Sequence, residues 1–477
     1  MLPLASKGFG LSMNDTNSDR LRTRSIRAAD RDSANSERNA IAAPDAQGPI
    51  ETRTPRILLA ATVRWPLAAR LAISFHGLGC AVQAWCPAGH PLEKTRAVER
   101  VHRYGVLIPQ RSLRAAIVDA TPDFIIPCDD DAAIHLQQLH DCSDDSDEAA
   151  CVRTLIRRSL GTPSSCARAT ARGKLMDLAL AERIRIPAAG RLSCAADLED
   201  WGTENGFPAV IKVDRSWGGL GVTVVHSIEQ ARDALRSAGN PSVFRALSAM
   251  IVRRDPSHVL ARFRREPASV TVQKFIVGTP ANRAVACWQG EVLAGISVAA
   301  LQTQSPTGPA TVVQVIDNDD MTEAAKRLVR ALGLTGLCGL DFVIEGDTNL
   351  AYLIELNPRA TPICHLPLGA GRHLPLALYS RLMGKRVASI APAIGNSVIA
   401  MFPAEWRRDP LSPYLRSSFH DVPWMEIGLV RDCVDLPWED RGIAARIKAR
   451  LSPTRSPASP SFPMRSSRST LADLREP

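Results

Sequence analysis

Apolar and polar positions along this chain fall into blocks, and the period within each block names the element it builds. RILLAATV, from Arg56 to Val63, is a continuous apolar run of the kind that suits a strand buried on both faces of a parallel sheet. Helical spacing follows through Leu67, Leu71, Ile73 and Phe75, then a turn at Gly77 and Gly79, then a second apolar run, CAVQAWC. Gly105 to Ile108 reads as the next strand, a helix is expected around Leu113 to Val118, and Phe124 to Pro127 reads as a further strand. Asp129 to Asp131 then open a helix, where carboxylates complement the positive end of the helix dipole. Residues 53–164 therefore read as a small doubly wound α/β domain. No GxGxxG follows its first strand, so no dinucleotide site is read there.

The second half changes character. RGKLMDLALAERIRIPAAG has helical spacing at Leu175, Leu178 and Ala179 or Ala181 and breaks before Ile186 and Pro187. A strand and a helix follow, then the strand FPAVIKV, from Phe207 to Val213. A loop with Gly218, Gly219 and Gly221 leads into another strand. VTVQKFIVG, from Val270 to Gly278, alternates, and AVACWQGEVLAGISVAAL reads as two strands joined at Gln289 and Gly290. GLCGLDFVIEGDTNLAYLIELNPRATP reads as two more, joined by a polar turn from Glu345 to Asn349. A helix is expected around Leu374 to Leu382, and β-like pieces, among them VIAMFPAEW, from Ile394 to about Ile447.

Composition alters this picture mainly at the ends. Residues 1–52 and 451–477 are polar, lack hydrophobic periodicity and read as disordered tails. Over the whole chain, 45% hydrophobic and 22% charged residues are ordinary for a soluble globular protein. No apolar run approaches the ~20 residues of a membrane span. The opening MLPLASKGFG is broken by Ser6, Lys7 and Gly8, so no secretory signal is read. Eleven cysteines, without a CxxC pair or zinc-like spacing, read as reduced thiols of a cytoplasmic enzyme. The net charge of +9 lies partly in the tails and partly in the stretch 245–265, which holds Arg253, Arg254, Arg262, Arg264 and Arg265. Without interleaved aromatics for base stacking, this reads as a solvated basic face that steers anions, not as a nucleic-acid groove.

Three segments carry candidate chemistry. After FPAVIKV, glycines at 218, 219 and 221 allow close backbone approach to an anion, and Lys212 supplies a point charge for phosphate oxygens. An ordinary hairpin has the same pattern, and the Walker order GxxxxGK[ST] is absent. Gln273 to Ile276 reads either as a core strand or as an edge whose backbone pairs with a purine. The third segment decides. Side chains two apart on a strand share a face, so Glu355 and Asn357 point the same way. Folding the hairpin back brings Asp341 close to Glu355, with one residue of freedom in register. Two carboxylates and an amide oxygen, with no lysine between them, repel one another unless a cation joins them. Mg²⁺ suits such hard oxygen ligands and shares them with nucleotide phosphates. Arg359, two residues beyond Asn357, adds a planar fork for a phosphate or carboxylate. The plain alternative is a solvated polar face with the acids paired to Arg327 or Arg330.

At these residues the sequence resembles the ATP-grasp superfamily, in particular its carboxylate–amine ligase branch. GLDF…IELNPR carries most of the resemblance, the glycine loop after FPAVIKV less, and RGK at Lys174 least. It covers roughly Ser165 to Lys385, so the chain divides into a domain at 53–164, an ATP-grasp domain at 165–385 and a C-terminal segment at 386–450. The resemblance implies an N-terminal doubly wound α/β domain followed by a two-subdomain α+β ATP-grasp fold. It implies ATP between the subdomains, with Lys174 and Lys212 on its phosphates and Ser216, Gly218, Gly219 and Gly221 closing over them. Gln273, Lys274 and Ile276 would border adenine; Gln273 stands where many relatives carry Glu, which leaves the ribose contact open, with Asn282 a candidate. Asp341, Glu355 and Asn357 would hold two Mg²⁺ ions, with Mn²⁺ able to substitute. Arg359, with Lys212, would act on the transferred phosphoryl group. The implied activity is ATP-dependent C–N ligation through an acyl phosphate, with small-molecule carboxylate and amine substrates. No nucleic acid or membrane partner is expected, and a homodimer is left open. Bicarbonate as the carboxylate, or a non-catalytic nucleotide-binding scaffold, are the alternatives. His365 either orients a substrate or caps the next helix.

Overall fold

The computed structural model describes residues 53–435, except 163–164, 166–168, 170, 193, 214–221, 240–269, 306–307, 385–390 and 393. Both tails, the arginine-rich stretch 245–265 and the segment beyond 435 lie outside the described residues. The first sheet is parallel, in the order β3-β2-β1-β4, from β1 (Arg56–Ala60), β2 (Ala81–Cys86), β3 (Arg100–Arg103) and β4 (Phe124–Pro127). Alternate residues of β1 serve two cores, which explains its unbroken apolar run. Ile57 and Leu59 pack with Leu67, Leu71 and Phe75 of α1 (Pro66–Gly77). Leu58 and Ala60 pack with α2 (Pro109–Ala120), α3 (Asp130–His140) and α4 (Asp147–Leu160). The sheet is therefore doubly wound, as expected.

Two local expectations need correction. β1 stops at Ala60 and not at Val63, because Asp129 takes the next amides. Its carboxylate accepts from Thr62 N at 2.6 Å and Val63 N at 3.0 Å, and from the Thr62 hydroxyl at 2.9 Å. The same side chain caps α3 by accepting from Ala132 N at 2.9 Å. The third strand lies at Arg100–Arg103, earlier than the apolar run 105–108. It is an edge strand, so charged residues are tolerated on it. Leu107 and Ile108 are instead exposed, ahead of Pro109, which starts α2.

The second half begins with α5 (Arg172–Ala181). A four-stranded antiparallel sheet in the order β5-β8-β6-β7 follows, packed with helices α6 (Ala195–Asn205) and α7 (Ile228–Gly239). Its strands are β5 (Ala189–Leu192), β6 (Ala209–Val213), β7 (Val222–Val225) and β8 (Val270–Lys274). A seven-stranded sheet in the order β13-β12-β9-β10-β11-β14-β15 forms the centre. Its long strands are β9 (Gly278–Trp288), β10 (Glu291–Thr303), β11 (Ala310–Ile316), β12 (Gly336–Glu345) and β13 (Ala351–Asn357). The β9–β10 turn falls on Gln289 and Gly290, whose φ angles of 47° and 84° match the twist of the strands they join.

One face of this sheet packs on α8 (Asp319–Leu332), through Met321, Ala325, Leu328 and Val329. The other packs on α9 (Leu374–Met383) and shares a continuous core with α1 and the first sheet. This shared core fixes the end of the β12–β13 hairpin against the first domain. The β-like pieces expected after Ile394 amount to β14 (Val398–Ala400) and β15 (Phe419–His420), which extend the large sheet. The remainder there is α10 (Ala404–Arg408), α11 (Tyr414–Ser417) and α12 (Ile427–Val434). Among the described residues no helix is long and apolar enough to cross a membrane.

Candidate functional site

In the ladder between β12 and β13, Asp341 stands opposite Glu355 and Gly339 opposite Asn357. The next pair is Phe342 with Leu353, so Ile354 is an extra residue and β13 bulges there. On the other side of β12, Asn282 of β9 stands opposite Asp341. Asn282, Asp341 and Glu355 therefore form a row across three strands, with Asn357 beside it on the same face.

Asp341 is the hub. Asn282 Nδ2 donates to its Oδ1 at 2.6 Å and Asn357 Nδ2 to its Oδ2 at 2.9 Å. Burial and the charge of Glu355 push its pKa up to about 6, against the pull of those amides and of Arg359. Arg327, an alternative partner for the acids, donates from Nη1 to Glu182 O at 3.2 Å. One polar atom of the row, Asn282 Oδ1, is buried without a hydrogen-bond partner. An orphaned amide oxygen beside two mutually repelling carboxylates is the donor set a hard cation takes. The residues present thus fit Mg²⁺. Among the described residues no group of three or more His, Cys, Asp and Glu side chains gathers to hold a metal, so this row, with two acids, relies on its amides.

Arg359 reaches the row from the chain just past β13. Its Nη2 donates to Asn357 Oδ1 at 3.1 Å and its Nη1 to Ala360 O at 3.2 Å. Its Nε donates to Asp130 Oδ1 at 2.6 Å, on the first turn of α3. Trp65 lies beside it, the ring centroid 6.0 Å from the guanidinium carbon. Burial works against the charge, yet Asp130, Asp341 and Asp129 together raise its pKa above the ordinary arginine value. Gly339 makes this geometry reachable: a Cβ there would come 2.2 Å from Thr361 Cγ2, so only glycine lets the returning chain lie on β12.

The other candidates are spread over the smaller sheet and α5. Lys212 is buried at 5% exposure on β6, opposite Val222 and Thr271. Lys174 is exposed in the first turn of α5. In RGK, a Cβ at Gly173 would meet the Arg191 guanidinium at 2.3 Å, the movable end of an exposed side chain. Gln273 is buried on β8, its Nε2 3.7 Å from Met176 Sδ. The linker after it is partly committed: Lys274 N donates to Ala188 O at 2.8 Å and Phe275 N to Pro208 O at 3.2 Å. Lys274 is exposed and Ile276 half-buried. A cavity of about 380 Å³ opens among Met176, Ile186, Ala188, Trp201 and Glu204, and neither the linker nor the hairpin residues line it. Ser216, Gly218, Gly219 and Gly221 lie outside the described residues.

Two assignments shift. Asn282, a candidate for ribose, stands in the row with Asp341. His365 does not cap the next helix. That role falls to His373, whose Nδ1 accepts from Leu376 N at 3.2 Å. His365 is buried, with Nε2 2.7 Å from Asp421 Oδ2, and Arg70 of α1 pairs with the same carboxylate. Asp130 is the residue sequence reading missed as part of the site. Its only signal was a helix-opening acidic trio, which says nothing of a partner 229 positions away.

Residues 180–362 match the family model described as the ATP-grasp domain. This region is an ATP-grasp domain. The hairpin row lies wholly inside the match, whereas the whole first sheet and most of α5 precede it. The arginine-specific large chain of carbamoyl phosphate synthase from Geobacillus stearothermophilus is 21% identical over 349 residues, 71% of this chain. The match spans only 29% of that relative's length. Among solved structures, N5-carboxyaminoimidazole ribonucleotide synthetase with ADP superposes with a TM-score of 0.51 at 12% identity, over 71% of this chain and 79% of that one. The biotin carboxylase domain dimer of 2-oxoglutarate carboxylase from Hydrogenobacter thermophilus, with MgADP, ADP and bicarbonate, gives 0.50 at 13% identity, over 71% of each chain. At such identities the likeness extends to the ATP-grasp fold with its preceding α/β domain.

Proposed function

We propose that this chain is a Mg-ATP-dependent ligase that activates a carboxylate as an acyl phosphate for attack by an amine, releasing ADP and phosphate. The observation that carries this reading is the row Asn282–Asp341–Glu355 with Asn357, an orphaned amide oxygen within it and Arg359 at its end. Asp341, Glu355 and Asn357 are the residues to hold two Mg²⁺ ions, with Mn²⁺ able to substitute. Mg²⁺ bound there supplies neutralisation of phosphate charge. Lys174 and Lys212 serve the phosphates, as do Ser216, Gly218, Gly219 and Gly221. Gln273, Lys274 and Ile276 border the base.

In the reaction, a carboxylate oxygen attacks the γ-phosphorus and the bond to the ADP oxygen breaks. Lys212 and Arg359 face the charge that would repel the attacking anion. The amine nitrogen then attacks the acyl carbon, phosphate leaves with the former carboxylate oxygen, and the amine proton passes to solvent. Bicarbonate is the second reading for the carboxylate, favoured by the relatives named for carbamoyl phosphate and for a bicarbonate-bound carboxylase. The expected partners are small molecules, with a homodimer as a candidate assembly. The cytoplasm is the compartment that suits ten free cysteines among the described residues.

The test is ADP and phosphate release from Mg-ATP across a panel of carboxylates, bicarbonate included, each with and without amines. Release that requires both substrates supports ligation. Formation of AMP and pyrophosphate instead would overturn it.

A further inference from the structure

The first sheet reverses its winding between β1 and β4: β2 follows β1 on one side and β4 closes the other. Ligands of open α/β sheets bind outside the carboxyl ends of the strands at such a reversal. Here that crevice is formed by the loop after β1, with Trp65, and by the start of α3, with Asp129 and Asp130. The side chain that enters it comes from the other domain and is Arg359.

The contacts are arranged so that each support is itself supported. Asp130 sits in the first turn of α3, directly after Asp129, whose carboxylate holds Thr62 and Val63 and caps the helix. The residue after Arg359 is tied to the same sheet, since Ala360 N donates to Pro127 O at 3.1 Å. The Arg359 side chain is 11% exposed and that of Asp130 27%. A long, flexible side chain is thereby held on one edge by Asp130 and on another by Asn357.

We propose that Asp130 is the positioning residue for Arg359, fixing the plane of its guanidinium so that the fork meets the transferred phosphoryl group beside the hairpin row. The proposal rests on the Mg-ATP reading. It has a rival with the opposite sign: Asp130 as a clip that neutralises Arg359 and so weakens its hold on anions. Positioning predicts that loss of the Asp130 charge weakens anion capture, whereas neutralisation predicts that it strengthens it.

The experiment uses the full chain with MgADP and orthovanadate, a mimic of the phosphoryl group in transfer, in titration calorimetry. Wild-type MgADP affinity should tighten by about tenfold or more when vanadate is present, as oriented groups close on the mimic. In Asp130→Asn, affinity for MgADP alone should stay within about twofold, while the vanadate enhancement falls to about threefold or less. Asp130→Glu should recover most of the enhancement, and thermal melts confirm that both variants are folded. An undiminished or larger enhancement in Asp130→Asn overturns the proposal while leaving the Mg-ATP reading intact, as does wild-type protein that binds MgADP without responding to vanadate. Wild-type protein that binds no MgADP overturns both.

Discussion

Asp341 and Glu355 face one another across the β12–β13 ladder, and the bulge at Ile354 comes immediately after that pair. Without the bulge the alternation of β13 would run on unbroken. With it, Leu353 joins the core under α8 while Glu355 and Asn357 stay on the opposite face. The extra residue thus lets one strand serve a core at its start and a polar row at its end.

That repulsive pairing predicts an asymmetry between stability and activity for Glu355→Ala. Glu355 contributes to the raised pKa of Asp341, so its removal relieves repulsion and the metal-free melting temperature should hold or rise. ADP-forming turnover should fall by about two orders of magnitude or more, through lost electrostatic stabilisation. Near-normal turnover in a folded variant would show that the row is not the metal site.

Gly339→Ala tests whether the returning chain must lie flat on β12. The added Cβ would come 2.2 Å from Thr361 Cγ2 and 2.9 Å from its hydroxyl, so the segment after Arg359 has to move. Overpacking of this kind costs about 1–3 kcal/mol. The expected outcome is a lowered urea midpoint together with lost turnover. A variant as stable and as active as wild type would mean that the loop carries no positional constraint.

Lys212→Met separates charge from packing. The thioether keeps the length of the lysine stem but removes the ammonium of a residue that is 5% exposed on β6. Affinity for Mg-ATP should weaken by about tenfold if the charge serves phosphate oxygens. The melting temperature of the ligand-free protein, measured alongside, reads what the ammonium contributes to the apo fold. Lost stability with unchanged nucleotide affinity would assign Lys212 a structural role.

The fold was legible where burial writes a simple period. β4, and β1 after Arg56, are apolar because both faces are covered, and the hairpin of β12 and β13 alternates around a polar turn. β3 was not legible, since RVHR is an edge strand whose charged residues look like a loop. The apolar run Val106–Ile108, exposed at Leu107 and Ile108, looks more like a strand than β3 does. Within the site, Asp341, Glu355 and Asn357 were readable because all three lie on one hairpin, where spacing alone fixes their side. The register was open by one residue, and no residue type marks the bulge that settles it. Asn282 and Asp130 were unreadable as neighbours of this row, because strand order and domain docking bring them there.

The cluster of His365, Asp421 and Arg70 ties the C-terminal segment to α1 and to the chain after the hairpin, and its pH dependence has a definite sign. Burial raises the pKa of Asp421, but His365 and Arg70 outweigh it and leave the carboxyl below its ordinary value. A carboxyl with a lowered pKa in the folded state contributes stability that is fully present above its unfolded value of about 3.9. The contribution is lost as pH falls below that value and through the lowered one. Asp421 is 2% exposed and His365 6%, so removing the charge leaves a half-buried arginine without its counter-ion. Asp421→Asn should therefore cost about 3 kcal/mol at pH 7. In urea unfolding the gap between wild type and variant should be largest near neutrality and shrink at pH 3. A gap that stays constant across that range would mean that Asp421 acts through shape and hydrogen bonding, not through its charge.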